Sequence, residues 1–432
     1  MTVSSGLSTS EKYARYVNLS SITGLEPITI ARGAGAEVWD TAGNRYLDCF
    51  AGIAVVNSGH AHERVVAAAA EQLGRFLHAG TYLYQIDVVA DLAERLAEVT
   101  PGRLQKTFFC TSGAEAIEGA LRLAKAATGR SEFVALDLGF HGRTNAALAV
   151  TGNRKRKQRG GPYLPGVAFA PAPYEYRCRL CAGTCSLACA DAVEDVIDFR
   201  TSGEVAAFVA EPVLGEGGII VPPDGYFQRV KEILDRRGIL FIADEVQSGF
   251  GRTGRMFGIE HFDVEPDLMA MAKGIAAGLP LGAFIAREEV ADSFQPGEHL
   301  STFGGNPVAC AAAIANLDVL ADERLPERSR ALGEWLLAAL RPLAERWPEV
   351  GQVRGRGLMV GIELVEDRST KRPAPELATR VRTAMRERGV LVGVGGFYGN
   401  VVRIQPPLVI DQQQLGLAVE VLDEALAAAG AG

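Results

Sequence analysis

Two short apolar runs, each ending abruptly in ionisable residues, limit what this chain can fold into. The first is Ile239-Leu240-Phe241-Ile242-Ala243, closing on Asp244-Glu245-Val246-Gln247. The second runs from Asp267 through Leu268-Met269-Ala270-Met271-Ala272 to Lys273-Gly274. Unbroken apolar runs of this length suit strands covered on both faces, the condition of a parallel sheet between helices. Such sheets present their chemistry at the carboxyl ends of the strands, so Asp244 and Lys273 are predicted to reach one rim. The chain has only eight lysines among 44 basic residues. Lys273 is thus a scarce residue at a telling place, because Lys can give up its proton and Arg cannot. A deprotonated amine suits chemistry with a carbonyl cofactor, and a carboxylate nearby can hold a pyridinium nitrogen protonated. A solvated Asp and Lys at two strand ends is the plain alternative. The first run also resembles the acidic strand of nucleotide hydrolases, which need a Gly-rich loop ending Gly-Lys-Ser/Thr. No Gly-Lys dipeptide occurs, and a nucleotide hydrolase stays only a remote alternative.

The surrounding pattern carries the same rhythm. Strands are expected at 106–110, 133–137, 205–210 and 281–286, with helices at 116–128, 226–237 and 307–320. Alternation of this kind indicates an α/β fold with a mostly parallel sheet. Before it stand a helix at 11–16, a hairpin from Ala36–Asp40 through Thr41-Ala42-Gly43-Asn44 to Arg45–Cys49, and a small-residue loop at 51–60. Helices follow at 63–77 and 88–99. After about residue 320 come a helix at 329–346, a strand at 358–365, a helix at 375–388, strands at 390–393 and 401–404, and a last helix. The expected division is residues 1–60 packing with a small α+β domain at 321–432, against a large domain at 61–320.

With net charge −8, the chain is a poor candidate for a nucleic-acid binder. The basic run Arg154-Lys155-Arg156-Lys157-Gln158-Arg159 reads as a solvated loop, with a place near an anionic substrate as the lesser reading. The N-terminal residues lack the apolar core of a secretory signal and no stretch is long enough to span a bilayer, so a cytoplasmic enzyme is expected. Seven cysteines imply no disulfide scaffold. Cys178, Cys181, Cys185 and Cys189 are clustered; plain thiols are the main reading and a zinc or iron–sulfur site the other, and no metal is assigned.

Several loops have the chemistry of a phosphate and amino-acid site. Thr111-Ser112-Gly113-Ala114 lies between a strand and a helix start, where backbone N–H groups suit a phosphate. Phe140-His141 stands at a strand end and Arg143 follows; Ser301-Thr302-Phe303-Gly304-Gly305 precedes a helix; Arg403 lies in a strand of the last segment. Six ordered stretches, Ala51–Val55, Thr111–Ala116, Phe140–Thr144, Glu211–Gly218, Asp244–Gly254 and Ala272-Lys273-Gly274, resemble the class III (ω-type) pyridoxal-phosphate-dependent aminotransferases of fold type I, most of all bacterial 4-aminobutyrate aminotransferases. The resemblance covers nearly the whole chain.

It implies a large domain with a seven-stranded-type sheet and a homodimer, or dimer of dimers, with shared sites. Lys273 is then the cofactor-linked, proton-moving amine, and Asp244 the partner of the pyridine nitrogen. Val246 packs on the ring and Gln247 meets its phenolic oxygen. Ser112, Gly113 and Ala114 hold the phosphate with Thr302 from the partner subunit, while Phe140 and His141 cover the other ring face. Many relatives carry Tyr where Phe140 stands, which removes a hydroxyl contact. Arg143 resembles the receiver of a distal carboxylate, beside Ile53; Glu211 falls in the same substrate set, and Glu216 with Arg403 resembles a gate that frees Arg403 for an α-carboxylate. The implied reaction moves an amino group from a 4-aminobutyrate-like ω-amino acid to 2-oxoglutarate, giving a semialdehyde and glutamate. The cysteine stretch departs from ordinary members. It leaves open a racemase or epimerase, or a transaminase for other amines or amino acids (alanine, ornithine or β-alanine type).

Overall fold

The computed structural model describes residues 6–18, 25–181 and 185–430. Residues 1–5 and 19–24 of the N-terminal segment, and 182–184 of the cysteine stretch, lie outside the described residues. After a short helix, Thr9–Tyr16, come β1 (Ile30–Ala34), β2 (Glu37–Asp40) and β3 (Arg45–Asp48), joined as an antiparallel meander. The β2–β3 turn forms because the Asp40 carboxylate accepts from Ala42 N and Asn44 N, both at 2.9 Å. β1 was not anticipated, as Ile-Ala-Arg-Gly-Ala lacks both alternation and an apolar run.

The central sheet has seven strands: β4 (Leu104–Cys110), β5 (Glu132–Leu136), β6 (Val167–Ala170), β7 (Val205–Ala210), β8 (Leu240–Asp244), β9 (Leu268–Met271) and β10 (Gly282–Arg287). Their order is β4-β10-β9-β8-β7-β5-β6. Only β10 runs against its neighbours β4 and β9, so the carboxyl ends of the other strands share one edge with the amino end of β10. Every residue of β7 and of β9 is buried, as continuous apolar runs require of central strands. Helices Gly113–Thr128 and Tyr226–Arg237 end at Gly129 and Gly238 in left-handed conformation, the usual stop for a helix that must turn back toward the sheet.

The C-terminal part carries β11 (Val350–Arg356), β12 (Met359–Asp367), β13 (Arg372–Pro373), β14 (Val390–Leu391), β15 (Gly393–Gly395) and β16 (Val401–Ile404). An antiparallel sheet β11-β12-β16-β15 forms there, with β13 beside β12. β14 instead joins the N-terminal sheet, parallel to β3. The single strand expected at 390–393 is therefore two, interrupted at Val392 and shared between two sheets. β11 escaped notice because Val-Gly-Gln-Val-Arg-Gly-Arg is mostly polar and only half-buried. Among the described residues no helix is long and apolar enough to cross a membrane.

Candidate active site

A cavity of about 340 Å³ opens at the shared edge of the central sheet, and the carboxyl ends of β4, β5, β7, β8 and β9 deliver its lining. β4 ends at Thr111-Ser112, where helix Gly113–Thr128 starts. Ser112 caps that helix, its Oγ accepting from Glu115 N at 3.3 Å. The intrahelical ladder begins with Ala116 N donating to Ser112 O, so the N–H groups of Gly113 and Ala114 stand ahead of it at the positive end of the helix. A Cβ on Gly113 would lie 2.9 Å from Val246 Cγ1, which leaves room only for glycine.

After β5 come Phe140 and His141, and after β8 the residues Val246 and Gln247. Asp244, the last residue of β8, is buried. Its Oδ2 stands 2.7 Å from His141 Nδ1, and its Oδ1 accepts from Val246 N at 3.0 Å. His141, expected to cover a ring face, clamps the Asp244 carboxylate. Burial pulls its imidazolium down, but the Asp244 hydrogen bond and the charges of Asp244 and Glu211 outweigh this and hold it above its ordinary value. Gln247 accepts from Gln405 Nε2 at 3.1 Å, which aims its amide into the cavity edge.

Lys273 follows β9 in a left-handed backbone conformation (φ 46°), a strained position that lines the same cavity. Burial holds its amine below the ordinary lysine value, while Glu216, Asp244 and Glu211 pull the other way. Glu211 departs from expectation. It lines this cavity and not the one that holds Arg143 and Arg403, and its two oxygens accept from Phe140 N and Gly215 N, both at 2.9 Å. It is a tether between two loops, with its carboxyl pushed up to about 7 by burial. Thr302 is exposed in the loop before helix Pro307–Asp322 and does not line the cavity of its own chain.

A second cavity, of about 490 Å³, is lined in part by Ile53, Arg143, Arg156, Glu216 and Arg403. Glu216 Oε1 is 3.3 Å from Arg403 NH1, and its Oε2 is 3.2 Å from Arg156 NH2. The Arg403 and Glu216 side chains are only 4% and 14% exposed, against 36% for Arg156. Burial acts to raise the Glu216 carboxyl, but Arg403, Arg156 and Lys273 outweigh it and keep it below the usual range. The Glu216 loop is closed by paired backbone bonds between Leu214 and Ile220. Arg354 holds it by donating to Gly218 O and Ile219 O, and is itself paired with buried Glu363 at 2.6 Å.

Arg156 corrects the sequence reading. Arg154, Lys155, Gln158 and Arg159 are exposed as a solvated loop requires, but Arg156 turns inward to Glu216 and Lys157 lies 4.3 Å over the Phe169 ring. Spacing alone carried no sign of it, since alternate residues of a charged run look alike until the chain bends. Arg354 and Glu363 were likewise missed, being a strand Arg and a strand Glu with no motif around them.

All seven cysteines are free, and among the described residues no group of three or more His, Cys, Asp or Glu stands in metal-holding geometry. The cysteine stretch is anchored away from both cavities: Arg177 Nε donates to Glu363 Oε1 at 2.6 Å, and Arg177 NH1 to Lys371 O at 2.7 Å.

The donor set fits pyridoxal phosphate: an anion seat at Gly113 and Ala114, a buried carboxylate at Asp244, an amine at Lys273 and a cavity between them. Similarity to known proteins points the same way. The family model "Aminotransferase class-III" matches residues 21–426. The acetylornithine aminotransferase of Methanothermobacter thermautotrophicus is 44% identical over 92% of this chain and 93% of its own length. The 5-aminovalerate aminotransferase of Pseudomonas aeruginosa is 39% identical over 93% of both. An amine transaminase from an uncultivated Pseudomonas species, solved in its PLP-bound form, superposes with a TM-score of 0.90 at 36% identity, over 96% of this chain and 98% of that one.

Proposed function

The chain belongs to the class III aminotransferases, pyridoxal-phosphate enzymes of fold type I, and on that premise we propose that it moves the amino group of a 4-aminobutyrate-like ω-amino acid to 2-oxoglutarate, giving a semialdehyde and glutamate. The observation that carries this reading is the Glu216–Arg403 pair in one cavity with Arg143. An ω-amino acid has its only carboxylate far from the amine, and Arg143 suits that end. Glutamate and 2-oxoglutarate have a second carboxylate beside the reacting carbon, and Arg403 suits that one once Glu216 lets it go. A permanently free Arg403 would draw the donor's carboxylate to the wrong end and misplace its amine.

Pyridoxal phosphate, when bound, supplies the carbonyl that takes up the amine and the ring that stores its electron pair. Gly113 and Ala114 hold its phosphate, with Thr302 of a second subunit. Asp244, steadied by His141, holds the charge at the ring nitrogen. Lys273, with its depressed amine, takes and returns the proton at Nζ. A homodimer is supported by the exposed apolar run of Phe76, Leu77, Tyr82, Leu83 and Tyr84 beside Leu300 and Phe303, on the loop that carries Thr302. Seven free cysteines suit a reducing, cytoplasmic setting. We read residues 1–60 and 321–432 as one unit facing the cofactor-binding part at 61–320; the β3–β14 pairing supports this.

A second reading, transamination of acetylornithine, is supported by the similarity to the Methanothermobacter thermautotrophicus protein and uses the same arginines. A panel of 4-aminobutyrate, 5-aminovalerate, acetylornithine and alanine, each with 2-oxoglutarate or pyruvate, decides between them by kcat/KM. Preference for alanine with pyruvate, or racemisation of an α-amino acid without any acceptor, overturns the ω-amino acid reading.

A further inference from the structure

Glu216 is held by two arginines at once. Its Oε1 meets Arg403 on β16, and its Oε2 meets Arg156, from the short turn Arg154–Arg156 of the large-sheet side. The two contacts use different oxygens, so one can break while the other stands. That matters because the Glu216 side chain is only 14% exposed. A carboxylate at that depth is costly to leave without a cationic partner. If Arg403 were its sole partner, every binding event that recruits Arg403 would strand it. With Arg156 on the second oxygen, Glu216 stays paired while Arg403 turns to a substrate. Arg156 is the more exposed of the two and follows a loop, whereas Arg403 sits in the interior of a sheet.

We infer that Arg156 is a positioning residue that receives Glu216 when Arg403 is recruited, and so tunes the pocket toward acceptors with two carboxylates. This rests on the acceptor reading given above. An acceptor with a second carboxylate beside its reacting carbon needs Arg403 free and draws on Arg156. A donor with a single, remote carboxylate leaves the Glu216–Arg403 pair closed and does not. Removing Arg156 therefore penalises one class of ligand only.

The test uses the loaded enzyme and its Arg156→Met variant. Binding of two unreactive analogues, glutarate and butyrate, is measured by calorimetry. The two half-reactions are followed by stopped-flow absorbance. Arg156→Met is expected to weaken glutarate, and to raise the saturation constant for 2-oxoglutarate, by about tenfold to a hundredfold, the range for a buried polar group left without its partner. The limiting rate, butyrate binding and the ω-donor half-reaction are expected to stay within about twofold. Arg156→Lys, which restores the charge, should recover most of the loss. In a Glu216→Gln background no carboxylate remains to be stranded, and Arg156→Met should then have little further effect. The same loss in that background would mean that Arg156 acts on the ligand directly, and the inference falls. It falls too if glutarate and butyrate weaken alike. An enzyme that rejects 2-oxoglutarate overturns the acceptor reading, while glutarate binding still decides the role of Arg156.

Discussion

Replacing Arg403 with Met keeps the length of the side chain and removes its charge, which separates the two halves of the proposed reaction. Arg403 is 4% exposed and sits 3.3 Å from Glu216 Oε1. Truncating one partner of a buried charge pair costs about 2–5 kcal/mol, much of it from the charge left unpaired. Here that share is small, because Glu216 keeps Arg156 at 3.2 Å. The lower part of the range applies, about 2–3 kcal/mol, and it falls on the lost clamp for the second carboxylate. That corresponds to roughly a 30- to 150-fold loss in the 2-oxoglutarate half-reaction. The ω-donor half-reaction, whose carboxylate goes to Arg143, should change by less than about threefold. Both are read by single-turnover absorbance of the holoenzyme, donor first and then acceptor with the aminated form. Equal losses in the two halves would refute the gate and assign the chain another substrate class.

Three further outcomes are expected. Asp244→Asn should slow proton removal on the order of a hundredfold, since it removes a fixed charge aimed where charge develops; it should also destabilise the fold most below pH 6.5, where wild-type His141, raised by Asp244, contributes fully, and less as pH rises above it. Rate–pH profiles and thermal melts check both, and a melt difference independent of pH contradicts the pairing. Glu245 is pushed up to about 7 by burial, from 4.5, although it accepts from Ser248, Gly258 and Ile259. The folded state then holds its proton more tightly than the unfolded one, so stability falls as pH rises between these values; Glu245→Gln should flatten that slope in a melting-temperature series. Replacing Cys178, Cys181, Cys185 and Cys189 with Ser should leave the donor profile unchanged and lower the melting temperature by a few degrees, chiefly through buried Cys189. A changed ratio of kcat/KM between donors would place the cysteine stretch in the substrate path.

The apolar runs ending at Asp244 and before Lys273 determined the parallel strands and the rim they share. A run buried on both faces has one kind of place in an α/β fold, and its carboxyl end is where polar residues emerge. The small-residue turn at Ser112-Gly113-Ala114 was legible from its place between a strand and a helix start, and the structure gives the reason for its glycine: a Cβ there would lie 2.9 Å from Val246 Cγ1. These are local constraints, and a local pattern suffices to read them. Strand β11 was not legible, since Val-Gly-Gln-Val-Arg-Gly-Arg is mostly half-buried without apolar alternation and gains its place by pairing with β12. Nor was the split of residues 390–395 between two sheets, which depends on β3, more than 300 residues earlier. The inward turn of Arg156, the hold of His141 on Asp244 and the use of Glu211 as a tether all join residues tens of positions apart or more. Charge and hydrogen bonding act through space at a few ångströms, while the sequence orders residues only along the chain. The candidate site residues were therefore legible in the sequence, and which carboxylate meets which cation was decided by the fold.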